Sequence, residues 1–123
     1  MKTKLITEPV FETYVRVLYD CSLDDVCRYV KKKFDFEVSG GEAVYGKLIV
    51  LPDLDEVILW GKDDNMLEVI HETAHLVFYW MRFKGIPVRK STEEVFAHLQ
   101  GFYLDKISKL FKKRKKGGKH FSK

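Results

Sequence analysis

Apolar residues recur at helical spacing in three segments of the chain, and these segments predict three helices. The first extends from Ser22 to Phe34, with a serine able to cap it and acidic residues in its first turn. The second extends from about Asp64 to Lys84 and stops before Gly85, since glycine tolerates the positive φ of a helix end. The third extends from about Thr92 to Lys112. The short connection after Gly85 predicts that the last two helices pack antiparallel.

Segments rich in valine, isoleucine, tyrosine and phenylalanine, separated by glycine and proline, predict the strands. Gly40-Gly41 indicates a turn between two of them, and Gly46 indicates a bulge. The order β-α-β-β-β-α-α predicts an α+β fold, a small twisted and mostly antiparallel sheet packed on helices. The predicted strands are Val10 to Tyr19, a segment with Phe36 and Val38, Val44 to Leu51, and Glu56 to Trp60.

The composition predicts a single folded domain. A chain of 123 residues that is 46% hydrophobic can bury one sizeable core and is too short to need two. We assign residues 1–112 to this domain and residues 113–123 to a flexible basic tail. No apolar run reaches the ~20 residues of a membrane span, and the first residues lack the apolar segment of a secretion signal. These features predict a cytoplasmic protein with no transmembrane segment.

Positive charge is concentrated at the C-terminus. Nine basic residues and no acidic ones lie between Lys106 and Lys123, although the net charge of the whole chain is only +4. Such a tail is able to hold nucleic acid or an acidic membrane surface weakly, by electrostatic attraction. An equally simple interpretation is that it only keeps the protein soluble.

One pentapeptide, His71-Glu72-Thr73-Ala74-His75, indicates a chemical function. In a helix, residues i and i+4 lie on one face about 6 Å apart at Cβ, so both imidazoles can point at one metal ion. Glu72 lies close enough to act as a general base without binding the ion. The apolar residues of this helix predict that the histidines lie on its buried side. The residues taken as that apolar stripe are Leu67, Ile70, Ala74, Val77, Phe78 and Met81.

A catalytic zinc site takes three protein ligands, so a third is needed. The candidates are Glu93, Glu94 and His98 at the start of the final helix. Glu94 and His98 share a face at i and i+4, and we predict Glu94 as the ligand, with His98 as its supporting partner or an alternative ligand. A competing interpretation is that Glu94 closes a capping box with Ser91.

The pentapeptide, followed by a second helix with Glu94-Val95-Phe96-Ala97-His98, resembles the zincin metallopeptidases of the gluzincin type. The stretch from about Glu56 to Tyr103 is also similar to small HExxH proteins encoded by phages, which would act in the cytoplasm of the host. The resemblance implies a zincin-like domain that binds Zn²⁺ through His71, His75 and Glu94. His98 departs from the family, which more usually has aspartate, asparagine or tyrosine there.

For function, the resemblance implies a zinc-dependent metallopeptidase in which Glu72 takes a proton from the attacking water. It also implies that Glu56 to Trp60 lies at the sheet edge and binds an extended peptide or protein substrate as an added strand. The alternative is a non-catalytic zinc-binding or adaptor module whose basic tail contacts nucleic acid or a protein complex. Glu72 distinguishes the two, because a purely structural site has no use for a carboxylate there.

Overall fold

The computed structural model describes residues 1–38, 45–62 and 65–116. In these residues a mixed four-stranded sheet is accompanied by three α-helices and two short 3₁₀ turns, Pro52–Leu54 and Lys90–Thr92. The α+β class is therefore confirmed. The elements are β1 Lys2–Glu8, β2 Thr13–Tyr19, α1 Leu23–Phe34, β3 Gly46–Leu51, β4 Glu56–Gly61, α2 Met66–Phe83 and α3 Glu93–Lys116.

The strands lie in the order β1-β2-β4-β3. β1 and β2 are antiparallel, β2 and β4 are parallel, and β4 and β3 are antiparallel. The parallel pair requires the chain to cross over between β2 and β4, and α1 belongs to that crossover. Two of the three pairings are thus antiparallel, as the pattern predicted.

The sheet buries both of its faces. One face packs against α2 and α3, and Val15, Val17 and Leu59 are among the strand residues completely buried there. The other face packs against α1, where Leu18, Ile58 and two valines of the helix form a second cluster. Alternate residues of one strand belong to opposite clusters, as the alternation of side chains along a strand requires. The molecule therefore has three layers, with the sheet in the middle.

The predicted helix ends agree closely with the structure. Ser22 caps α1, and its side chain accepts from the backbone of Asp25 while the Asp25 carboxylate accepts from the Ser22 amide. α2 begins after Asn65, whose side chain accepts from the Glu68 amide at 3.0 Å. It ends before Gly85, which has a φ of 73°. Asp63 and Asp64, the other residues expected to start α2, lie outside the described residues.

The strand predictions were less accurate at the N-terminal end. β1 was missed, because only Ile6 and Glu8 of its seven residues are buried and no apolar alternation marks it. The predicted strand from Val10 begins only at Thr13, since residues 9–12 form the turn that joins β1 to β2. That turn includes a positive φ of 57° at Glu12.

Two predictions around β3 were also wrong. Phe36 and Val38 lie in a segment without regular structure rather than in a strand. Gly46 is not a bulge, because the β3 to β4 register runs without interruption from Gly46 opposite Gly61 to the end of the strand. The predicted turn at Gly40-Gly41 and the predicted strand start at Val44 lie outside the described residues.

The predicted position of Glu56 to Trp60 at the sheet edge was wrong. This segment is β4, and it is hydrogen-bonded to β2 on one side and to β3 on the other. An interior strand has no free edge at which a substrate can pair. The edge strands of the described sheet are β1 and β3, and of these β3 lies beside α2.

The final helix continues to Lys116, beyond the predicted end at Lys112. The remaining residues of the predicted tail, 117–123, lie outside the described residues, so its predicted contact with nucleic acid stays a prediction. Among the described residues, no helix combines the length and apolar character that crossing a membrane requires.

Gly61 lets α2 approach the sheet, and replacing it should destabilise the fold. A Cβ atom at Gly61 would lie 2.4 Å from Cγ2 of Val69. Because both residues are buried, we expect Gly61→Ala to lower the free energy of unfolding by about 1–3 kcal/mol, the usual cost of overpacking. Urea unfolding followed by circular dichroism measures this.

The control is Gly101→Ala on α3, where an added Cβ meets nothing within 4 Å. Alanine at this exposed helical position should stabilise the protein by up to about 1 kcal/mol. Equal effects of the two substitutions would contradict the proposed close contact at Gly61.

Candidate metal centre

The HExxH segment lies in the middle of α2, but its histidines are on the solvent side. His71 and His75 are exposed, whereas Val69, Leu76 and Trp80 are buried. The apolar stripe predicted from sequence was therefore only partly correct, since Val77 and Met81 are completely buried but three other members are not. Its members Leu67, Ile70 and Phe78 are 81%, 38% and 36% exposed.

The two imidazole rings converge at one point. The Nε2 atoms of His71 and His75 lie 3.1 Å apart, and the ring planes meet at 78°. Two nitrogens bound to one tetrahedral zinc ion at ~2.0–2.1 Å would be about 3.3 Å apart. The separation is therefore close to what a shared metal ion requires, and the donor atoms fit zinc. In the absence of an ion the same distance allows one ring to donate a hydrogen bond to the other.

Glu72 lies at the border of the core, with only 9% of its surface exposed. It packs beneath the first residue of β3, since a Cβ atom at Gly46 would lie 3.0 Å from Cγ of Glu72. Burial raises the pKa of the Glu72 carboxyl, while the nearby charges of His75 and His71 act in the opposite direction. A carboxylate with a raised pKa binds a proton more readily than an exposed one, which suits a general base.

A second carboxylate, Glu68, lies beside His71 and Glu72. These three residues each offer a ligand atom, and the atoms lie within 4.8 Å of one another; His75 is not a member of this set. Sequence reasoning missed Glu68, because the search for a third ligand went only downstream. The available signal was its spacing, three residues before His71 and four before Glu72, which places all three on one face of the helix.

The structure does not bring Glu94 or His98 into this group. In the described part of the chain, neither belongs to any set of three potential ligands within 4.8 Å. Glu94 is exposed in the first turn of α3, and it makes no hydrogen bond to Ser91 of the kind that a capping box requires. The neighbouring Glu93 lines a cavity together with Phe78 of α2.

His98 instead contacts the turn between β1 and β2. Its Nε2 donates to Oε2 of Glu8 at 2.8 Å, and its ring packs edge-on against Phe11. Since Glu94 and His98 share a helix face, Glu94 is also directed toward the β1 side of α3 rather than toward α2. This geometry indicates that His98 joins α3 to the hairpin of β1 and β2.

Glu8 is the centre of a buried polar network. Its carboxylate accepts from the amides of Val10 at 2.7 Å and Phe11 at 3.1 Å, and from the Thr13 hydroxyl at 3.1 Å. Burial alone would raise the pKa of Glu8, but the hydrogen bonds from His98, the two amides and Thr13 outweigh it and lower the pKa. Glu8 is therefore held as a carboxylate, which can only accept hydrogen bonds.

Comparisons of the chain with protein-family models, with curated proteins and with solved structures found no match. The site is accordingly interpreted from its own geometry.

The lowered pKa of Glu8 predicts a stability that depends on pH. A carboxyl whose pKa falls on folding stabilises the protein fully above its unfolded pKa, near 4.5. This contribution is lost as the pH falls from there through the folded pKa. Glu8→Gln should therefore weaken the pH dependence in this range, and it should lower the free energy of unfolding at pH 7 by about 1–3 kcal/mol.

Urea unfolding between pH 3 and pH 7 tests this. Glu12→Gln is the matched control, because Glu12 is exposed in the same turn and takes no part in the network. It should change the free energy of unfolding at pH 7 by no more than about 0.5 kcal/mol. Parallel pH profiles for the wild type and Glu8→Gln would show that the network does not stabilise the fold in this way.

Proposed function

We propose that the protein is a zinc-dependent peptidase whose metal is held on α2 by His71 and His75, with Glu72 as general base. The observation that carries this proposal is the convergence of two Nε2 atoms 3.1 Å apart, next to a largely buried carboxylate on the same helix. The resemblance to gluzincins in the HExxH pentapeptide supports the same assignment.

In the proposed hydrolysis of a peptide bond, the metal and Glu72 have separate roles. When bound, zinc would polarise the substrate carbonyl and lower the pKa of a water molecule. Glu72 would take a proton from the attacking water and pass it to the amide nitrogen. The C–N bond then breaks, and a carboxylic acid and an amine are formed. The raised pKa of Glu72 supports this role, because the residue must both accept and release the proton.

A peptide substrate is favoured by the position of β3. This strand is one of the two edge strands of the described sheet, and Gly46 at its start packs on Glu72. An extended peptide added to the outer edge of β3 would run beside the proposed general base. We propose β3 for the role that the resemblance implied for Glu56 to Trp60.

Two carboxylates compete to be the third ligand. Glu94 is the ligand implied by the gluzincin resemblance, but it would have to turn from the β1 side of α3 toward α2. Glu68 already lies within 4.8 Å of the donor atoms of His71 and Glu72. We therefore propose Glu68 as the ligand in the conformation described here and keep Glu94 as its rival.

Zinc content and affinity should distinguish the ligands. We expect purified protein to contain about one zinc ion per chain. His71→Ala, His75→Ala and Glu68→Ala should each weaken zinc binding by more than the ~10–100-fold typical of residues that only orient ligands. Competition with a chromophoric chelator measures the affinity.

His98→Ala is the control for this experiment, because the His98 ring is bonded to Glu8. It should leave the zinc affinity unchanged. A large loss in Glu94→Ala together with none in Glu68→Ala would reverse the assignment of the third ligand. Undiminished zinc binding in His71→Ala would contradict the centre as a whole.

Hydrolysis should depend on Glu72 separately from metal binding. We expect Glu72→Gln to keep its zinc and to lose about 10²–10⁴-fold in the rate of cleavage of an unfolded protein substrate, since general-base catalysis is removed. Asp105→Asn is the control, because this exposed carboxylate contacts Lys109 on α3 and lies outside the centre. A wild type that binds zinc but cleaves nothing in a broad peptide library would favour the adaptor function.

A further inference from the structure

A groove extends from His75 along the C-terminal half of α2. It has a volume of about 730 Å³ and is lined by His75, Phe78 and Arg82 of the helix and by the connection from Gly85 to Arg89. The positive φ of Gly85 turns the chain sharply at the helix end, and the Ile86 amide donates to the Met81 carbonyl at 2.8 Å. The connection therefore folds back beside the helix and forms one wall of the groove.

The groove adjoins an apolar cavity. Phe78 and Val88 line both spaces, and the second, of about 410 Å³, extends to Met81 of α2 and Phe96 of α3. The rings of Phe78 and Phe96 lie 5.2 Å apart. The two rings therefore pack on each other and together form part of the cavity wall. A space of this size is large enough for an apolar side chain, whose burial against them is favourable.

Two arginines give the groove a positive charge. Arg82 and Arg89 both line it, and in the described part of the chain no carboxylate forms an ion pair with either. The adjoining cavity adds Lys90 and a single acidic residue, Glu93. Positively charged side chains therefore outnumber carboxylates among the residues that line the groove and the cavity. A guanidinium group binds a carboxylate through two parallel hydrogen bonds, which makes a carboxylate the complementary ligand.

We propose that this groove binds a peptide segment in which a large apolar side chain stands next to a carboxylate, the peptide's own C-terminus in the simplest case. The apolar side chain occupies the cavity that Phe78 and Phe96 line, and the carboxylate pairs with Arg82 and Arg89. Because His75 lines the same groove, the bound segment lies beside the proposed metal centre. Together with the proposed function, this binding mode implies that the protein cleaves close to a peptide C-terminus. That implication rests on the proposed function.

Binding tests the groove without relying on hydrolysis. The probe is a fluorescein-labelled Ala-Ala-Phe peptide with a free C-terminus, compared with the same peptide as its C-terminal amide. Fluorescence anisotropy is measured with the full chain carrying Glu72→Gln, both with zinc and with chelator. We expect the free acid to bind about tenfold or more tightly than the amide, as a charge-assisted hydrogen bond predicts.

Substitutions identify the residues that are responsible for the preference for the free acid and for the phenylalanine side chain. Arg82→Gln and Arg89→Gln together should reduce the preference for the free acid to within about twofold. Arg28→Gln is the matched control, since Arg28 lies on α1, on the opposite side of the sheet, and pairs with Asp25. Phe78→Ala should weaken the binding of Ala-Ala-Phe and leave that of Ala-Ala-Ala unchanged. Circular dichroism confirms that each variant is folded.

A third peptide separates two sources of the carboxylate. An amidated Ala-Phe-Glu peptide that binds as tightly as the free acid would identify a glutamate side chain as the source, with the same groove chemistry. Equal binding of the free acid and both amides, or the same loss in Arg28→Gln as in the arginine pair, would overturn the proposal. So would the absence of measurable binding of any peptide.

The two proposals fail in different ways. A free-acid preference in the binding assay, together with a zinc-loaded wild type that cleaves no peptide, would overturn the peptidase and leave the groove as a binding site. Zinc-dependent cleavage without any preference for a neighbouring carboxylate would overturn the groove and leave the peptidase.

Discussion

Strand β4 is buried on both faces, and the arrangement of the helices depends on it. Val57 and Leu59 face α2 and α3, while Ile58 and Trp60 face α1. Each of these side chains contributes roughly 1.5–3 kcal/mol by leaving water. β4 also pairs with β2 and with β3, so it holds the two antiparallel pairs together. Without this strand neither helical layer would have a continuous apolar surface to cover.

The end of β4 also fixes the rotation of α2. Gly61 has no side chain, so Val69 can pack directly against the strand, and Val69 marks the buried side of the helix. Thr73 and Leu76 follow on that side at helical spacing, and the Thr73 hydroxyl donates to the Val69 carbonyl at 2.8 Å. His71 and His75 must then face outward. The accessibility of the proposed metal centre is thus a consequence of one close contact in the core.

The helices and the central strands could be predicted because each carries a local signal: a cap, a terminal glycine or an apolar run. β1 could not, since its stability comes from pairing with β2 and from burial of Ile6 and Glu8, not from its own composition. The buried face of α2 was predicted only in part, since Val77 and Met81 are buried but the histidines are exposed. This helix has apolar residues nearly all round, so periodicity allowed two phases, and only contact with Gly61 selects between them.

For the candidate site, the sequence predicted the histidine pair and Glu72, whose relative positions are set within one helix. Whether Glu94 lies near them depends on how α3 is rotated, and the Glu8 contact with His98 sets that rotation. Glu68, in contrast, could have been found from its spacing on α2. The same helix-internal geometry brings Glu68 and Glu72 together, and their like charges raise the pKa of Glu72 further. A divalent cation would relieve this repulsion. Binding of metal should therefore favour the ionised form of Glu72 and stabilise the first half of α2.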